Sequence, residues 1–325
     1  MTEKHILYGD ETYNLAPFKY PWAFDMAQKS LANHWTPNEV QTGGVDKSCY
    51  EQVLTNDERH MFKHVFASLT TADLAIQDNL TGRIYPAVKA AELRLYLSRQ
   101  IAEEGLHSVT YQHVIEVLGL DQEETYSIYR KVPCVKAWFD HSRKMVEADH
   151  ILTPLIFYYA IFEGVFFPCA FAAIYSLHRR NLMTATAQQI QFIHRDETAH
   201  VGFGMKLIKS IFVEANERPT QEAVHSLFKT SMQLLDDWAE YCIPATVGYN
   251  SDLHKQHMRY MADVRLRTLG YDKLYNVAEA LPWLDAMASI KKEKNFFETR
   301  VTEYQSGVSL DFGDTTSMEG IMEWK

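Results

Sequence analysis

The sequence is poor in cysteine and has no cluster of positive charge, and both absences exclude classes of protein. Its 325 residues contain four widely separated cysteines with no Cys-x-x-Cys pair: Cys49, Cys134, Cys169 and Cys242. This pattern predicts reduced thiols in a cytoplasmic protein, because disulfide and zinc frameworks need clustered cysteines. The formal net charge is −10 and no run of lysine and arginine occurs, so we expect no nucleic-acid surface.

The sequence also lacks the basic-then-apolar pattern of a secretion signal at its N-terminus, so we expect no export. One apolar stretch, residues 155–177, carries Glu163 as its single charge and is long enough to cross a bilayer. It is rich in aromatic residues and contains Pro168, and the rest of the chain is amphipathic. We therefore predict a helix buried on all sides within a large bundle, without membrane association.

The sequence contains neither a convincing β-strand alternation nor an internal repeat, and helical patterns cover most of it. With 46% hydrophobic residues, the chain has ample material for one large all-α core. Thr55 and Glu58 form a capping box that opens a helix to about residue 79, before Gly82 and Pro86 break it. Further helices are predicted at about 87–118 (ending at Gly119), 121–130, 135–148, 152–180, 184–214, from 219, and 251–268.

The first candidate chemistry is the Glu-x-x-His pair, in which both side chains share a helix face and reach one metal ion. The chain contains four such pairs, namely Glu104/His107, Glu147/His150, Glu197/His200 and Glu222/His225. The spacing alone does not select among them, since two solvated side chains at this spacing are common. A second signal is needed.

Isolated acids in apolar segments provide that signal. Burying an unpaired carboxylate costs several kcal/mol, so a lone acid in a core segment needs a partner. Glu163 lies upstream of Glu197 in this setting, and Asp73, within FASLTTADLAI, lies upstream of Glu104. The chain therefore repeats one unit, a helix with a buried acid followed by a helix with Glu-x-x-His. The pairs at 147/150 and 222/225 have no such acid upstream, so we assign them structural roles.

Two units of this kind predict a carboxylate-bridged di-metal centre. The six predicted ligands are Asp73, Glu104, His107, Glu163, Glu197 and His200. Four carboxylates and two imidazoles on four helices suit two hard first-row metal ions, and this ligand set is known in helical bundles. Zinc is a poorer match because its sites usually have four ligands with more nitrogen or sulfur. The alternative is a set of core ion pairs without metal.

One tyrosine extends the predicted ligand stripe. Tyr111 follows His107 by four residues, so it lies on the same helix face. Phe167, Phe171 and Ile193 lie on the stripes of the neighbouring ligands and are expected to enclose Tyr111 in a dry, apolar pocket. Such a pocket suits a tyrosine that is oxidised and must be protected from quenching.

Four segments carry a family resemblance when they are taken together. They are IAEEGLHSVTY (101–111), AIFEGVFF (160–167), IHRDETAHVGFG (193–204) and KNFFETRVTEYQ (294–305). In combination they resemble the small, radical-generating subunit of class I ribonucleotide reductase, in order from about Trp35 to Tyr304. The resemblance implies a ferritin-like helical bundle with additional helices, in a single domain. The implied organisation is an extended segment at 1–22, the di-metal domain at 23–300 and a flexible tail at 301–325.

The resemblance also implies roles for individual residues. Asp73, Glu104 and His107 match the ligands of one metal, and Glu163, Glu197 and His200 those of the other, with Glu104 and Glu197 as bridges. Tyr111 occupies the position of the radical tyrosine. Trp35 matches a tryptophan that relays an electron, and Asp196 matches the acid joining it to His107. Tyr304 matches the tyrosine that transfers the oxidant between subunits.

The same resemblance implies partners and cofactors. Two metal ions per chain, as Fe/Fe, Mn/Mn or Mn/Fe, would react with dioxygen, superoxide or peroxide. The oxidant would pass to a large subunit, docked through the C-terminal tail, that reduces ribonucleotides. A homodimer is implied, and a flavoprotein or another activating protein is a further expected partner. The four scattered cysteines agree with substrate reduction on another chain.

Alternatives remain at two levels. The segments around EEGLH and NFFETRVTEYQ also resemble family members that lack the radical tyrosine and store the oxidant on a manganese-containing pair. At the level of function, a stand-alone di-metal oxidase or oxygenase would require a substrate channel and would give Trp35, Asp196 and Tyr304 no role. A metal-storage or purely structural helical protein would form no metal-dependent oxidant.

Overall fold

The computed structural model describes residues 6–7, 14–40 and 44–289, which are mostly helical and contain no β-strand. The predicted all-α class is confirmed. The α-helices are α1 Pro21–Ala32, α2 Gly44–Ser48, α3 Asn56–Asn79, α4 Tyr85–Ala87, α5 Ala91–Leu118, α6 Gln122–Lys131, α7 Pro133–Val146, α8 Leu152–Ile156, α9 Phe167–His178, α10 Thr184–Glu214, α11 Gln221–Cys242, α12 Ser251–Thr268 and α13 Leu284–Ala288.

Local signals fix several helix ends as the sequence predicts. The Thr55 side chain accepts a hydrogen bond from the Glu58 backbone N–H, and the Glu58 carboxylate accepts one from Thr55 N–H, which completes the capping box of α3. Helix α5 ends at Gly119, whose φ of 69° is a left-handed conformation that glycine adopts without steric cost. These caps satisfy backbone groups that have no partner within the helix.

One helix was not predicted, and one predicted break is wrong. No helix was assigned between residue 22 and the capping box, yet α1 occupies Pro21–Ala32; proline at the first turn is compatible with a helix because that N–H needs no intrahelical partner. Gly82 and Pro86 also do not break the chain after α3. A π-helical turn, Leu80–Ile84, leads directly into α4, and the extended break comes at Val88–Ala90.

The long apolar segment forms the centre of the bundle. Leu152–His178 runs continuously through α8, a π-helical stretch at Phe157–Phe166, and α9, and it is buried inside the protein. It is long and apolar enough to cross a membrane, but burial by α3, α10 and α12 accounts for its composition. The buried-core prediction for this segment is confirmed. The π-helical stretch carries Glu163, and π-helical turns are frequent at functional sites.

A glycine lets the central segment approach α10 closely. A Cβ atom added to Gly204 would lie 2.0 Å from the ring of Tyr159, which is closer than non-bonded atoms approach. The Tyr159 hydroxyl donates a hydrogen bond of 2.9 Å to Gln100, and Gln100 donates one of 2.9 Å to Glu163. The absence of a side chain at Gly204 therefore helps to position a carboxylate at the centre of the bundle.

We predict that Gly204→Ala destabilises the fold by about 1–3 kcal/mol, because the new methyl group overpacks the Tyr159 ring. Gly202 is a matched control two residues earlier, since its nearest neighbour would be Met26 Cε at 3.9 Å. Gly202→Ala should be neutral or slightly stabilising, because alanine favours the helix. Free energies of unfolding in urea measure both changes. Equal effects of the two substitutions would show that the close approach at Gly204 has no consequence.

Candidate metal centre

The six predicted metal ligands come together from four helical segments. Asp73 comes from α3, Glu104 and His107 from α5, Glu163 from the π-helical stretch, and Glu197 and His200 from α10. All six side chains are at most 1% exposed. Helical spacing places Glu104 above His107 and Glu197 above His200, so each α-helix presents a pair toward the same interior point.

The six residues form two overlapping groups. One group is Asp73, Glu104, His107 and Glu197, and the other is Glu104, Glu163, Glu197 and His200; within each, the potential ligand atoms lie within 4.8 Å of one another. Glu104 and Glu197 are common to both groups. Two neighbouring cation sites that share two carboxylates are the geometry of a bridged pair.

Each imidazole directs its Nδ1 atom into the cluster. His107 Nδ1 lies 3.0 Å from Glu197 Oε1 and 3.8 Å from carboxylate oxygens of Asp73 and Glu104. His200 Nδ1 lies 3.2 Å from Glu104 Oε1 and 3.5 Å from Glu197 Oε2. The Nε2 atoms point outward, so each ring presents one nitrogen to the centre and the other to surrounding side chains.

The donor atoms at the centre have no hydrogen-bond partner among the residues that the structure describes. They are both carboxylate oxygens of Asp73, Glu104 and Glu197, Glu163 Oε2, and Nδ1 of His107 and His200. Buried polar groups are almost always hydrogen-bonded, so a cluster of unsatisfied acceptors needs another partner. The set contains only oxygen and imidazole nitrogen, which suits hard first-row divalent metals, so the residues present fit a metal pair.

The negative charge of the buried carboxylates also indicates that the cluster binds cations. Burial, followed by repulsion from neighbouring carboxylates, raises the pKa of Asp73 and Glu163 well above their usual range and also raises that of Glu104. Burial also opposes the ionisation of Glu197, but its contacts with both imidazoles lower its pKa to about 2. The centre therefore holds more acidic groups than its two imidazoles can balance. Bound cations would keep all four carboxylates ionised.

The predicted relay residues lie in contact on the outer side of His107. Trp35 is 1% exposed, and its indole N–H donates a 2.6 Å hydrogen bond to Asp196 Oδ2. The same oxygen lies 3.5 Å from His107 Nε2. Burial disfavours the charged form of Asp196, but its hydrogen-bonding contact with His107, aided by Arg195 and Trp35, lowers its pKa to about 2. An ionised Asp196 thus connects the tryptophan to a predicted ligand.

Tyr111 is fully buried beside the carboxylates. Its ring packs edge-on against Phe66 at a centroid distance of 5.5 Å, and its hydroxyl has no hydrogen-bond partner within the described part of the chain. Burial, followed by the negative charge of Asp73, raises the pKa of Tyr111 well above its usual value. Phe167, Phe171 and Ile193 are also buried, but their predicted enclosure of Tyr111 stays a prediction.

Sequence reasoning missed a second layer of polar side chains. Gln100 holds Glu163 through a 2.9 Å hydrogen bond, and it lies four residues before Glu104 on the same helix face, a signal that was available. Glu103 Oε2 lies 2.9 Å from His200 Nε2. Its signal was the doubled acid of EEGLH, which matches the doubled acid of DETAH around Asp196.

The two Glu-x-x-His pairs that were assigned structural roles lie elsewhere. His150 is partly exposed and pairs with Glu217 at 3.2 Å, while His225 Nε2 lies 3.0 Å from the backbone oxygen of Asp272. Neither belongs to the two groups of predicted ligands. Tyr304 and the predicted tail at 301–325 fall outside the described residues, so their roles stay predictions.

Comparisons with known proteins give one consistent family. The family model described as "Ribonucleotide reductase, small chain" matches residues 12–282. The chain is 34% identical over 318 residues to the ribonucleoside-diphosphate reductase subunit beta of Chlamydia pneumoniae, which covers 92% of this chain and 91% of that one. It is 31% identical over 299 residues to the small chain of Nicotiana tabacum, covering 91% and 89%.

Solved structures agree on the fold. A ribonucleotide reductase R2 subunit from Clostridium botulinum superposes with a TM-score of 0.82 at 23% identity, covering 88% of this chain and 95% of that one. The dimanganese(II)-NrdF structure from Streptococcus sanguinis superposes with a TM-score of 0.76 at 18% identity, covering 87% and 100%. These similarities confirm the predicted ferritin-like helical architecture.

We predict that Glu197→Ala abolishes tight metal binding in one or both groups, because Glu197 contributes oxygen atoms to each of them. The matched control is Glu147→Ala, which removes the glutamate of an exposed Glu-x-x-His pair on α7's C-terminal side. Metal analysis of both variants after loading with iron or manganese gives the stoichiometry per chain. Equal losses from the two substitutions would contradict the choice of ligand pairs.

Proposed function

The chain belongs to the ribonucleotide reductase small-chain family, and we propose that its buried cluster holds the metal pair that generates the oxidant of that enzyme. It is the small subunit of a ribonucleoside-diphosphate reductase, an oxidoreductase that works with a large subunit. The observation that carries the proposal is the pair of overlapping groups that share Glu104 and Glu197 and contact Trp35 through Asp196.

The protein's own contribution is to hold and orient the ligands. Asp73 and His107 would bind one ion, Glu163 and His200 the other, with Glu104 and Glu197 between them. When bound, two first-row metals supply reactivity toward dioxygen or its reduced forms and the capacity to hold oxidising equivalents. The pair would be Fe/Fe, Mn/Mn or Mn/Fe, because oxygen and imidazole ligands of this kind suit all three.

Burial of the cluster favours a site that exports oxidising equivalents over one that admits a substrate. The predicted ligands are at most 1% exposed, and Phe66 packs beside Tyr111. A stand-alone oxidase or oxygenase must bring an organic substrate to its metals, whereas electron transfer needs only packed aromatic and hydrogen-bonded groups. The contact of Trp35 with Asp196 supports the second mode, because an oxidase gives this pair no role.

We propose that Tyr111 stores the oxidant. Its phenol would give one electron to the oxidising equivalents that the bound metals supply and its hydroxyl proton to a neighbouring carboxylate such as Asp73, and it would remain as a neutral radical. Two observations support this role: complete burial, which excludes solvent reductants, and the absence of a hydrogen bond from any described residue to its hydroxyl. The alternative is storage on the metals themselves, with Tyr111 as a packing residue.

We further propose an outward route for the oxidant. His107, Asp196 and Trp35 form its first part, and Tyr304 in the C-terminal tail hands the oxidant to the large subunit, which reduces the ribonucleotide. We also propose that the small subunit is a homodimer in the cytoplasm and that it docks on the large subunit through residues 301–325. A flavoprotein or another protein would activate it. The family membership supports these steps.

We predict that oxygen exposure of the metal-loaded protein produces a tyrosyl signal in electron paramagnetic resonance that Tyr111→Phe removes. Tyr249→Phe is the control, since Tyr249 is equally buried but hydrogen-bonds to His254, away from the cluster. A persistent metal-centred oxidant with normal activity in Tyr111→Phe would overturn the radical role. It would favour storage on the metals.

The route through the tail has its own test. Tyr304→Phe should lose ribonucleotide reduction when it is mixed with a cognate large subunit, yet it should form the stored oxidant normally, because only the transfer step needs this phenol. Radioactive nucleotide turnover measures the first property and spectroscopy the second. Full turnover by Tyr304→Phe would contradict long-range transfer through this residue.

A further inference from the structure

The two predicted ligand pairs carry the same five-residue pattern, an acid directly before Glu-x-x-His. The pattern is Glu103-Glu104-x-x-His107 on α5 and Asp196-Glu197-x-x-His200 on α10. The first acid of each unit contacts the histidine of the other: Asp196 Oδ2 lies 3.5 Å from His107 Nε2, and Glu103 Oε2 lies 2.9 Å from His200 Nε2. Each of the two helices therefore supplies the acid that contacts the imidazole of the other helix.

Glu103 is held in place by three partners. Beyond His200, its Oε1 atom accepts hydrogen bonds from the Ser30 hydroxyl at 2.5 Å and from Arg99 Nε at 3.1 Å. Arg99 Nε also donates to Ser30 Oγ at 2.9 Å, so these side chains form a closed triangle. Glu103 is 3% exposed, which distinguishes it from a surface ion pair of small effect.

We propose that Glu103 is the positioning residue for His200, with Ser30 and Arg99 as its supports. A carboxylate at Nε2 fixes the imidazole proton on that atom and leaves the Nδ1 lone pair directed at the cluster, where Glu104 Oε1 lies 3.2 Å away. It also fixes the ring's rotation and increases the ligand's basicity. Resting on the proposed di-metal function, this role gives the Glu163-containing group its own outer support.

Asp196 and Glu103 differ in the side chains that donate hydrogen bonds to them. Asp196 accepts a hydrogen bond from the indole of Trp35, an aromatic group that can be oxidised. The donors to Glu103 are a serine hydroxyl and an arginine guanidinium, neither of which is readily oxidised or reduced. The Ser30 hydroxyl and the Arg99 guanidinium both donate hydrogen bonds to Glu103 Oε1, which leaves Oε2 to accept from His200 Nε2.

The test isolates each metal group in turn. Asp73→Ala leaves the group that contains Glu163 and His200, and Glu163→Ala leaves the group that contains Asp73 and His107. Glu103→Gln is then added to both backgrounds of the full chain. Titration of the metal-free proteins with manganese(II), followed by electron paramagnetic resonance of the free ion, gives the affinity of the remaining group.

We expect Glu103→Gln to weaken manganese binding about 10–100-fold in the Asp73→Ala background, as loss of an outer support does. In the Glu163→Ala background the change should stay below about 3-fold, because His107 is braced by Asp196 instead. Glu116→Gln, an exposed glutamate on the same helix, should change neither affinity. Helical circular dichroism checks that each protein is folded.

Unchanged binding in the Asp73→Ala background, or equal losses in both backgrounds, would overturn the positioning role. If Glu103→Gln does not fold, Ser30→Ala replaces it, since it removes only one donor to Glu103; a several-fold loss confined to the Asp73→Ala background supports the role, and no loss contradicts it. Wild-type protein that fails to bind two manganese ions would instead contradict the proposed di-metal function itself.

Discussion

Four carboxylates buried in the middle of a helical bundle are the constraint on which the rest of this structure depends. An isolated charge in such a place costs several kcal/mol, and two imidazoles cannot balance four acids. The carboxylate oxygens of Asp73, Glu104 and Glu197 have no hydrogen-bond partner in residues 6–7, 14–40 and 44–289. Bound cations resolve this problem directly, and the arrangement of the surrounding helices follows from the need to bring ligands from four segments to one point.

The layer outside the ligands determines how well they are held. Asp196 and Glu103 brace the two histidines from opposite helices, and Gln100 braces Glu163. Gln100 is itself held by Tyr159, whose ring fits only because Gly204 has no side chain. A glycine on α10 is thus connected to a carboxylate on the central segment through two hydrogen bonds. Packing at Gly204 therefore affects the position of Glu163, a predicted metal ligand.

Much of this arrangement could be predicted from the sequence, for identifiable reasons. The helical pattern at 184–214 predicted the observed bounds of α10, and lone acids in apolar segments selected two Glu-x-x-His pairs from four. The π-helical stretch around Glu163, which packs against α10 and α12, was not predictable, because local propensity does not distinguish it from an α-helix. Helix α1 was missed because residues 1–22 were expected to be extended and no helix was assigned between them and the capping box at Thr55. Glu103 was missed because its partner, His200, is distant in sequence.

The family to which the chain belongs and the contacts of His107 Nε2 support the same function. The family makes this chain the small subunit of a two-part enzyme, and the contact from His107 through Asp196 to Trp35 gives that assignment a physical starting point. Every later step that we propose, from oxidant storage to transfer, requires two ions that share Glu104 and Glu197.

Anomalous X-ray diffraction from crystals of the metal-loaded protein, recorded at the iron and manganese edges, tests that dependence most directly. The account predicts two peaks about 3.5–4 Å apart, one bonded to Asp73 and His107, the other to Glu163 and His200, with Glu104 and Glu197 touching both. A single peak, or peaks bonded to other residues, would contradict it.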